Sequence, residues 1–521
     1  MNAASGHELL ASIQALWCEV LGFAPEKVQP DSHFLLLGGD SLQLARLLER
    51  VQARFGVCLP LHELTRFATP LRMAACCCTQ QEIVGTVVGI DDSPPRLSQG
   101  VPASPVQQGI WLAEQLSAPR MLYLASVLLH FSGPLDVAAL QLACAALFRR
   151  HPVLLAQLRH DLAGRCLQLH LKAEPLWSDV PPLLLQDCSL AGLDAQVQQA
   201  LQEPLLLEEG PLCRLRLFRL EPQRHALLLS CHHVISDGWS GNILLAQLAA
   251  DYAAAVTHGS IPLQPPELGF LAYCRRIARQ QESLTGEKLQ WWRQRLEGMD
   301  KAQLWLWHGQ SAEPWPHDVV AKVVPLPADL LARLRERAQG LKQSLFTLFL
   351  YAVKAGLFAC SGASRQVLLV PVAQRRQDEE ACIGCFMEPL LLAGEWQPAP
   401  GIEAALQAEA DNFAAAQREK LPLATLAAVL RPHLLPDGNP WSSILFAFQS
   451  YPQARLHWQG LQHHVERVPE RAGQYALKLE IMPGTEAWQL RIEYASLLLD
   501  RSRVSALATA ILAGLQQVAV A

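Results

Sequence analysis

ALLLSCHHVISDGWSGNILLAQLAADYAAAV, residues 226–256, joins a strand pattern to a helix pattern through a short polar turn. Ala226 to Cys231 is a continuous apolar run of strand length, as in a strand buried on both faces. From Leu244 to Val256 the apolar residues resume a helical period. Between them, His232 and His233 stand at the strand end, where a loop can present side chains to a cleft. Gly238 marks a turn directly after Asp237.

The same alternation continues to both sides. From about Val101 onward, short apolar strands are expected at Ala125–Phe131, Leu215–Leu220, Ala226–Cys231, Val367–Val372, Ile444–Phe448 and Leu490–Tyr494, with helical stretches between them. Roughly four hundred residues patterned in this way make an α/β unit in two lobes, dividing near Pro262 to Gly269. The most apolar long stretch, Leu345 to Cys360, is interrupted by Lys354. It is shorter than the roughly 20 residues a bilayer requires, so a buried helix is expected.

The first eighty residues read differently. Leu9, Ile13, Leu16, Trp17, Val20 and Leu21 recur at helical spacing, as do Leu44, Leu47, Leu48, Val51 and Phe55. A turn-rich loop, QPDSHFLLLGGD, lies between the two runs. Thr69 and Pro70 supply an N-cap and a proline at the first helical position for a last short helix. Residues 1–80 are therefore a small helical bundle. Residues 81–98, with Asp91, Asp92, Ser93, Pro94 and Pro95, are a linker; 99–266 and 267–521 are the two lobes.

Composition sets outer limits. Of 521 residues, 50% are hydrophobic and 17% charged, which excludes disorder. The net charge of −5, without basic blocks, argues against nucleic acid as a partner. The opening MNAASGHELL carries Glu8 and no signal-like regions, so export and membrane anchoring are not expected. The 14 Cys show no disulfide-framework spacing, which fits reduced thiols in a cytoplasm.

Gly38-Gly39-Asp40-Ser41-Leu42 sits where the loop of the small bundle meets its second helix. Two glycines allow tight backbone geometry, and a serine at a helix start presents its hydroxyl where free N–H groups and the dipole favour an anion. A Ser/Asp N-cap after a glycine turn accounts for those five residues equally well. DSHFLLLGGDSLQLARLLERV, followed by FATP before a short helix, resembles the peptidyl carrier domains of nonribosomal peptide synthetases across residues 7–80. By that resemblance Ser41 carries 4′-phosphopantetheine.

The histidine pair admits three readings: a satisfied core pair, a metal site using His233 and Asp237, or a catalytic imidazole acting as base or hydrogen-bond partner for a nucleophile. The metal site lacks a third ligand, and Gly238 speaks against a regular helix there. HHVISDGWS matches the HHxxxDG signature of condensation domains, and this part of the chain resembles that family. SPVQQGIWLAEQL (104–116), GPLDVAALQLACAALFRRHPVL (133–154), LLEEGPLCRLRLFRL (206–220), IGCF (383–386) and YASLLLD (494–500) follow in the family's order, so the resemblance spans 99–521.

What it implies is a small all-α four-helix carrier bundle followed by an α/β condensation domain of two chloramphenicol acetyltransferase-like lobes. His233 would face the reaction channel and orient or deprotonate the acceptor. His232 would support the loop, Asp237 would be structural and held by an arginine, and Gly238 would leave room for the thioester arm. An acyl or aminoacyl thioester on the Ser41 arm would condense with an amine or hydroxyl acceptor, free or carrier-bound, giving an amide or an ester. A phosphopantetheinyl transferase and an adenylation domain, upstream or in trans, would load the carrier. Either the chain is a piece of a longer synthetase, or a free acceptor makes it a chain-releasing enzyme. No metal is called for.

Departures from the family pattern bear on substrate choice. In RHxxLR the last arginine is Leu155; Arg375, in PVAQRR, is the substitute candidate. Glu388 stands where GxFVNT has asparagine, and HQD reads Arg418-Glu419-Lys420. An epimerisation domain shares the histidine motif, but its EGHGRE segment is missing. A non-catalytic domain that recruits partner enzymes is the rival of another class. Cys382 and Cys385 form a CxxC without companions and read as incidental. Gly238-Trp239-Ser240-Gly241 has the outline of a nucleophile elbow but not its spacing. His463-His464 reads as a solvated turn and Trp291-Trp292 as helix packing, while Cys76 to Cys78 lack ligand geometry.

Overall fold

The computed structural model describes residues 3–32, 37, 47, 50–51, 54–55, 69–81, 100–116, 123–161, 166–171, 183–281, 286–299, 319–396, 401–430, 441–449, 456–468, 474–484 and 487–520. Ser41 and the rest of 38–46 lie outside them, as do residues 82–98 of the expected linker. The chain forms two compact units. One holds Met1–Ser283, Arg375–Phe386 and Ala454–Val468; the other holds Leu284–Gln374, Met387–Gln453 and Pro469–Ala521.

The first unit begins with helices α1 (Ala3–Leu21) and α2 (Pro70–Gln81). Their packing follows from the apolar spacing: Ile13, Trp17, Leu47, Val51 and Met73 are fully buried, and the Trp17 indole N–H lies 3.4 Å from Met73 Sδ. Thr69 accepts the Arg72 N–H at 3.4 Å ahead of Pro70, the cap expected from sequence.

The strands that follow are β1 (Val101–Pro102), β2 (Leu124–Ser132), β3 (Gln157–His160), β4 (Leu167–His170), β5 (Leu184–Asp187), β6 (Cys213–Glu221) and β7 (Arg224–His232). Three form an antiparallel sheet in the order β1-β4-β3. The others form a five-stranded sheet with β12 (Gln462–Arg467), in the order β12-β2-β7-β6-β5, antiparallel except for β5 with β6. The expected strands at 125–131, 215–220 and 226–231 are all present and slightly longer. The turn expected at His463-His464 is instead the middle of β12: His464 pairs with His130 of β2 across the ladder. An almost fully exposed edge strand has no apolar alternation to betray it.

The helices of this unit are α3 (Pro105–Leu116), α4 (Val137–Arg150), α5 (Leu193–Leu201), α6 (Gly238–His258) and α7 (Gly269–Gln281). Asp136 caps α4 by accepting the Ala139 N–H at 3.0 Å. Gly259, at φ 67°, ends α6 in the left-handed conformation that favours glycine. Between α4 and α6, Arg150 grips Asp251 with two 3.0 Å hydrogen bonds in a buried bidentate pair.

The second unit has a six-stranded sheet of β8 (Val319–Pro325), β9 (Arg365–Ala373), β10 (Met387–Glu395), β11 (Ile444–Phe448), β13 (Leu477–Pro483) and β14 (Trp488–Ala495), in the order β10-β9-β11-β13-β14-β8. Its helices are α8 (Gly286–Leu296), α9 (Ala328–Gly340), α10 (Leu345–Ser361), α11 (Ile402–Arg418), α12 (Leu423–Leu430) and α13 (Arg501–Val520). The apolar stretch around Lys354 is the buried helix α10, and Lys354 is paired with Glu409 of α11. Helix α13 is long and apolar enough to cross a bilayer by length and composition. Its Val504, Leu507, Ile511, Leu515 and Val518 are nevertheless buried in the unit, and Ile511 packs so closely on α10 that a Cβ at Gly356 would lie 2.8 Å from it. Trp291 and Trp292 meet edge to face on α8, and the Trp292 N–H donates to the Glu419 carbonyl at 2.6 Å.

Candidate functional site

Strand β7 carries the chain to His232, a single turn of 3-10 helix follows over His233–Ile235, and α6 starts at Gly238. The turn is held by its apolar residues. Val234 and Ile235 are fully buried, and each such side chain contributes about 2 kcal/mol. His232, His233, Asp237 and Gly238 are thus gathered within one short stretch: His232 buried, His233 and Asp237 partly buried, Gly238 exposed.

The two imidazoles are set in opposite senses. His232 Nδ1 accepts the Val234 N–H at 3.1 Å. His233 Nδ1 lies 3.1 Å from the Ser236 carbonyl oxygen, which can only accept, so Nδ1 carries the proton. In the neutral ring the basic lone pair of His233 is then on Nε2. Its backbone N–H donates to the Tyr123 carbonyl at 2.8 Å, which fixes its height at the start of β2.

Asp237 is saturated. Its Oδ1 accepts the Ser240 N–H and stands 2.8 Å from the Ser240 hydroxyl, while Oδ2 accepts the Phe386 N–H at 3.1 Å. Arg375 Nη2 approaches both carboxylate oxygens, at 3.3 and 3.4 Å. The other arm of that guanidinium donates to the carbonyls of Glu379 and Cys382, at 2.6 Å each, and its plane lies 3.9 Å from the Phe386 ring. Asp237 is therefore the N-cap of α6 and the anchor of segment 375–386, with no lone pair left over for a metal. Leu155, where the sequence pattern expects the arginine, is buried and apolar.

Segment 375–386 closes on the same region through Gly384. Ser240 Oγ accepts the Gly384 N–H at 3.1 Å and lies 2.8 Å from its carbonyl oxygen. A Cβ on Gly384 would fall 2.1 Å from the Phe270 ring, so glycine is the one residue that fits. Phe386 packs on Phe270 and Tyr273, with ring centroids 5.1 and 4.7 Å away. Cys382 is buried here, and desolvation together with Glu267 pushes its thiol up.

Sequence reasoning missed Ser240 and Gln107. Ser240 follows Asp237 at the spacing of a capping contact, but its bond to Gly384 spans 144 residues. Gln107 donates from Nε2 to the Val234 carbonyl at 2.9 Å and is fully buried on α3, which no local signal in the sequence reveals. Ser41 belongs to no described geometry; Leu37 and Leu47, on either side of it in sequence, pack on the apolar core.

In the second unit, two departures from the family pattern meet. Glu388, buried at the start of β10, forms an ion pair with Lys420 just beyond α11.

Comparison with known proteins places the chain in a family. A family model described as the condensation domain matches residues 98–520, and one described as the phosphopantetheine attachment site matches 11–77. The chain is 27% identical over 517 residues to malpinin synthetase of Mortierella alpina, covering 95% of this chain but 6% of that synthetase. It is 28% identical over 512 residues to the dimodular nonribosomal peptide synthase of Bacillus subtilis (strain 168), covering 95% of this chain and 21% of that protein. Among solved structures, the X-domain from teicoplanin biosynthesis superposes with a TM-score of 0.67 at 22% identity, over 83% of this chain and 97% of that one. The starter condensation domain of rhizomide synthetase superposes with a TM-score of 0.63 at 18% identity, over 81% and 95%.

Proposed function

The chain belongs to the condensation-domain family, with a phosphopantetheine attachment domain in front of it, and from that membership we propose that it joins a carrier-bound acyl or aminoacyl group to an amine or hydroxyl acceptor. The pantetheine arm, attached at Ser41, supplies the acyl group as a thioester, already activated towards nucleophiles. The protein is left to hold two reactants together and to manage one proton. The observation that carries this reading is the His233 Nδ1 contact with the Ser236 carbonyl, which places the basic lone pair on Nε2. His233 takes or orients the acceptor's proton through that nitrogen as the amide or ester bond forms; the thioester C–S bond breaks and the sulfur leaves as the free thiol, so the proton count balances. His232 and Asp237 shape the loop, and exposed Gly238 at the head of α6 leaves space for the arm. The donor is loaded by a phosphopantetheinyl transferase and an adenylation domain, upstream or in trans. The 14 Cys without disulfide-framework spacing support a cytoplasmic setting.

Intact-protein mass spectrometry tests this. The carrier is loaded with acyl-pantetheine groups by a promiscuous transferase, then offered amines, alcohols and aminoacyl carriers. Acceptor-dependent loss of the acyl group in wild type, slowed at least about a hundredfold in His233→Ala, is the expected result. Ser41→Ala should not load at all. Equal, slow discharge of wild type and His233→Ala with every acceptor would overturn the reading. It would favour instead a domain that recruits partner enzymes; the X-domain from teicoplanin biosynthesis has been solved in complex with OxyB.

A further inference from the structure

Helix α3 carries two buried polar side chains, Gln107 and Glu114, at 0% and 2% exposure. Seven residues separate them, so they lie on one face of the helix, two turns apart, with buried Ile110 and Trp111 beside them. A buried amide or carboxylate on an apolar face is costly unless it is hydrogen-bonded. Both are satisfied by the histidine loop and its supports. Gln107 accepts the Ser104 N–H through Oε1 at 3.0 Å and donates to the Val234 carbonyl through Nε2. Glu114 Oε1 accepts the Tyr123 N–H at 3.0 Å and stands 3.7 Å from His232 Nε2. Tyr123 passes the constraint on, since its carbonyl receives the His233 N–H.

The state of His232 follows from its other nitrogen. A backbone N–H only donates, so the Val234 N–H on Nδ1 leaves the ring proton on Nε2. Nε2 faces Glu114 and has no hydrogen-bond acceptor at normal distance among the described residues.

We infer that Glu114 is a positioning residue for the reactive histidine. Its carboxylate beside Nε2 joins the Val234 contact on Nδ1 in holding His232 as the Nε2–H tautomer, and it sets the place of His233 through Tyr123. The inference rests on His233 being the reactive group. Gln107 holds the other side of the same turn, so α3 acts as a splint with one contact at each end.

The test uses the full chain with 15N-labelled histidine. Long-range 15N NMR should show His232 in wild type as the Nε2–H tautomer through neutral pH. Folded Glu114→Ala should lose that preference and give a mixture. In the discharge assay kcat should fall about tenfold or more in Glu114→Ala, with acceptor KM little changed. Glu114→Gln, which keeps an acceptor for the Tyr123 N–H, should recover much of the rate. An Nδ1–H His232 in wild type, or an unchanged tautomer in Glu114→Ala, would overturn the inference. If the alanine variant does not fold, an unchanged tautomer and kcat in Glu114→Leu, which lacks any acceptor, do so. Should His233→Ala discharge as fast as wild type, the condensation reading fails alone, because the His232 tautomer is read without turnover.

Discussion

Arg375 reaches Asp237 across 138 residues of sequence and holds it with one arm of its guanidinium, while the other arm grips the carbonyls of Glu379 and Cys382. Both side chains are largely shielded, at 4% and 12% exposure, so removing one leaves a buried charge without its partner. Arg375→Leu should lower stability by about 3 kcal/mol in urea unfolding. Arg375→Lys should recover only part of it, because an ammonium cannot serve the carboxylate and two carbonyls at once. A loss below about 1 kcal/mol for the leucine variant would mean that Ser240 and the Phe386 N–H suffice for Asp237.

Gly384 should tolerate no side chain. Its added Cβ meets the Phe270 ring, which is itself pinned against Tyr273 and Phe386. Gly384→Ala should cost about 3 kcal/mol, and the double variant Gly384→Ala/Phe270→Leu less than the sum of the singles. Thermal unfolding of the four proteins checks this.

Acid should weaken the fold through His151. Burial lowers this imidazole from 6.5 to about 4, against the opposing hydrogen bond from Gln247 and helped by the charge of Arg150. The unfolded chain then binds the proton more readily than the fold. Stability present above pH 6.5 is therefore lost as pH falls through the window from 6.5 to 4. Between pH 7 and 5 the His151 share is about 2 kcal/mol. His170 and His225 are lowered by burial as well, and His463 by the partial desolvation it has in β12 and by neighbouring His457 and His464; all act in the same direction. His151→Gln should flatten the dependence of the urea midpoint on pH; an unchanged slope would assign the effect to the other three.

Glu388 and Lys420 should be energetically coupled. Glu388→Asn alone leaves a partly buried ammonium unpaired, and Lys420→Gln alone leaves a buried carboxylate. Each single change should cost about 2 kcal/mol, and the double variant less than either. A coupling energy near zero in the double-mutant cycle would make these two departures from the family pattern independent of one another.

The histidine loop was legible in the sequence because its signals are local: an apolar strand, a histidine pair, a glycine turn and a helical period lie within about thirty residues. What completes it comes from far away, and periodicity does not encode distant pairing. Arg375 could be named only as a candidate, and nothing local signals the contact of Ser240 with Gly384. Glu114 sat unremarked inside a quoted motif, since a lone carboxylate among helical apolar residues reads as a solvated position until its face is known to be buried. The edge strand through His463 and His464 was misread for the converse reason: its residues are polar and exposed, so only the β2 ladder identifies it.

The course of the chain through the first unit limits how the gene can be cut. The α6 cap is finished by residues 375–386 and the open edge of β2 is covered by residues 462–467, both encoded after much of the second unit. A fragment ending near residue 283 would expose the β2 ladder to strand addition from its neighbours and leave Asp237 without Arg375. On the ribosome, Asp237 must wait 138 positions for Arg375, and His130 of β2 waits 336 for Glu466 of β12; it is in that interval that a chaperone has most to do.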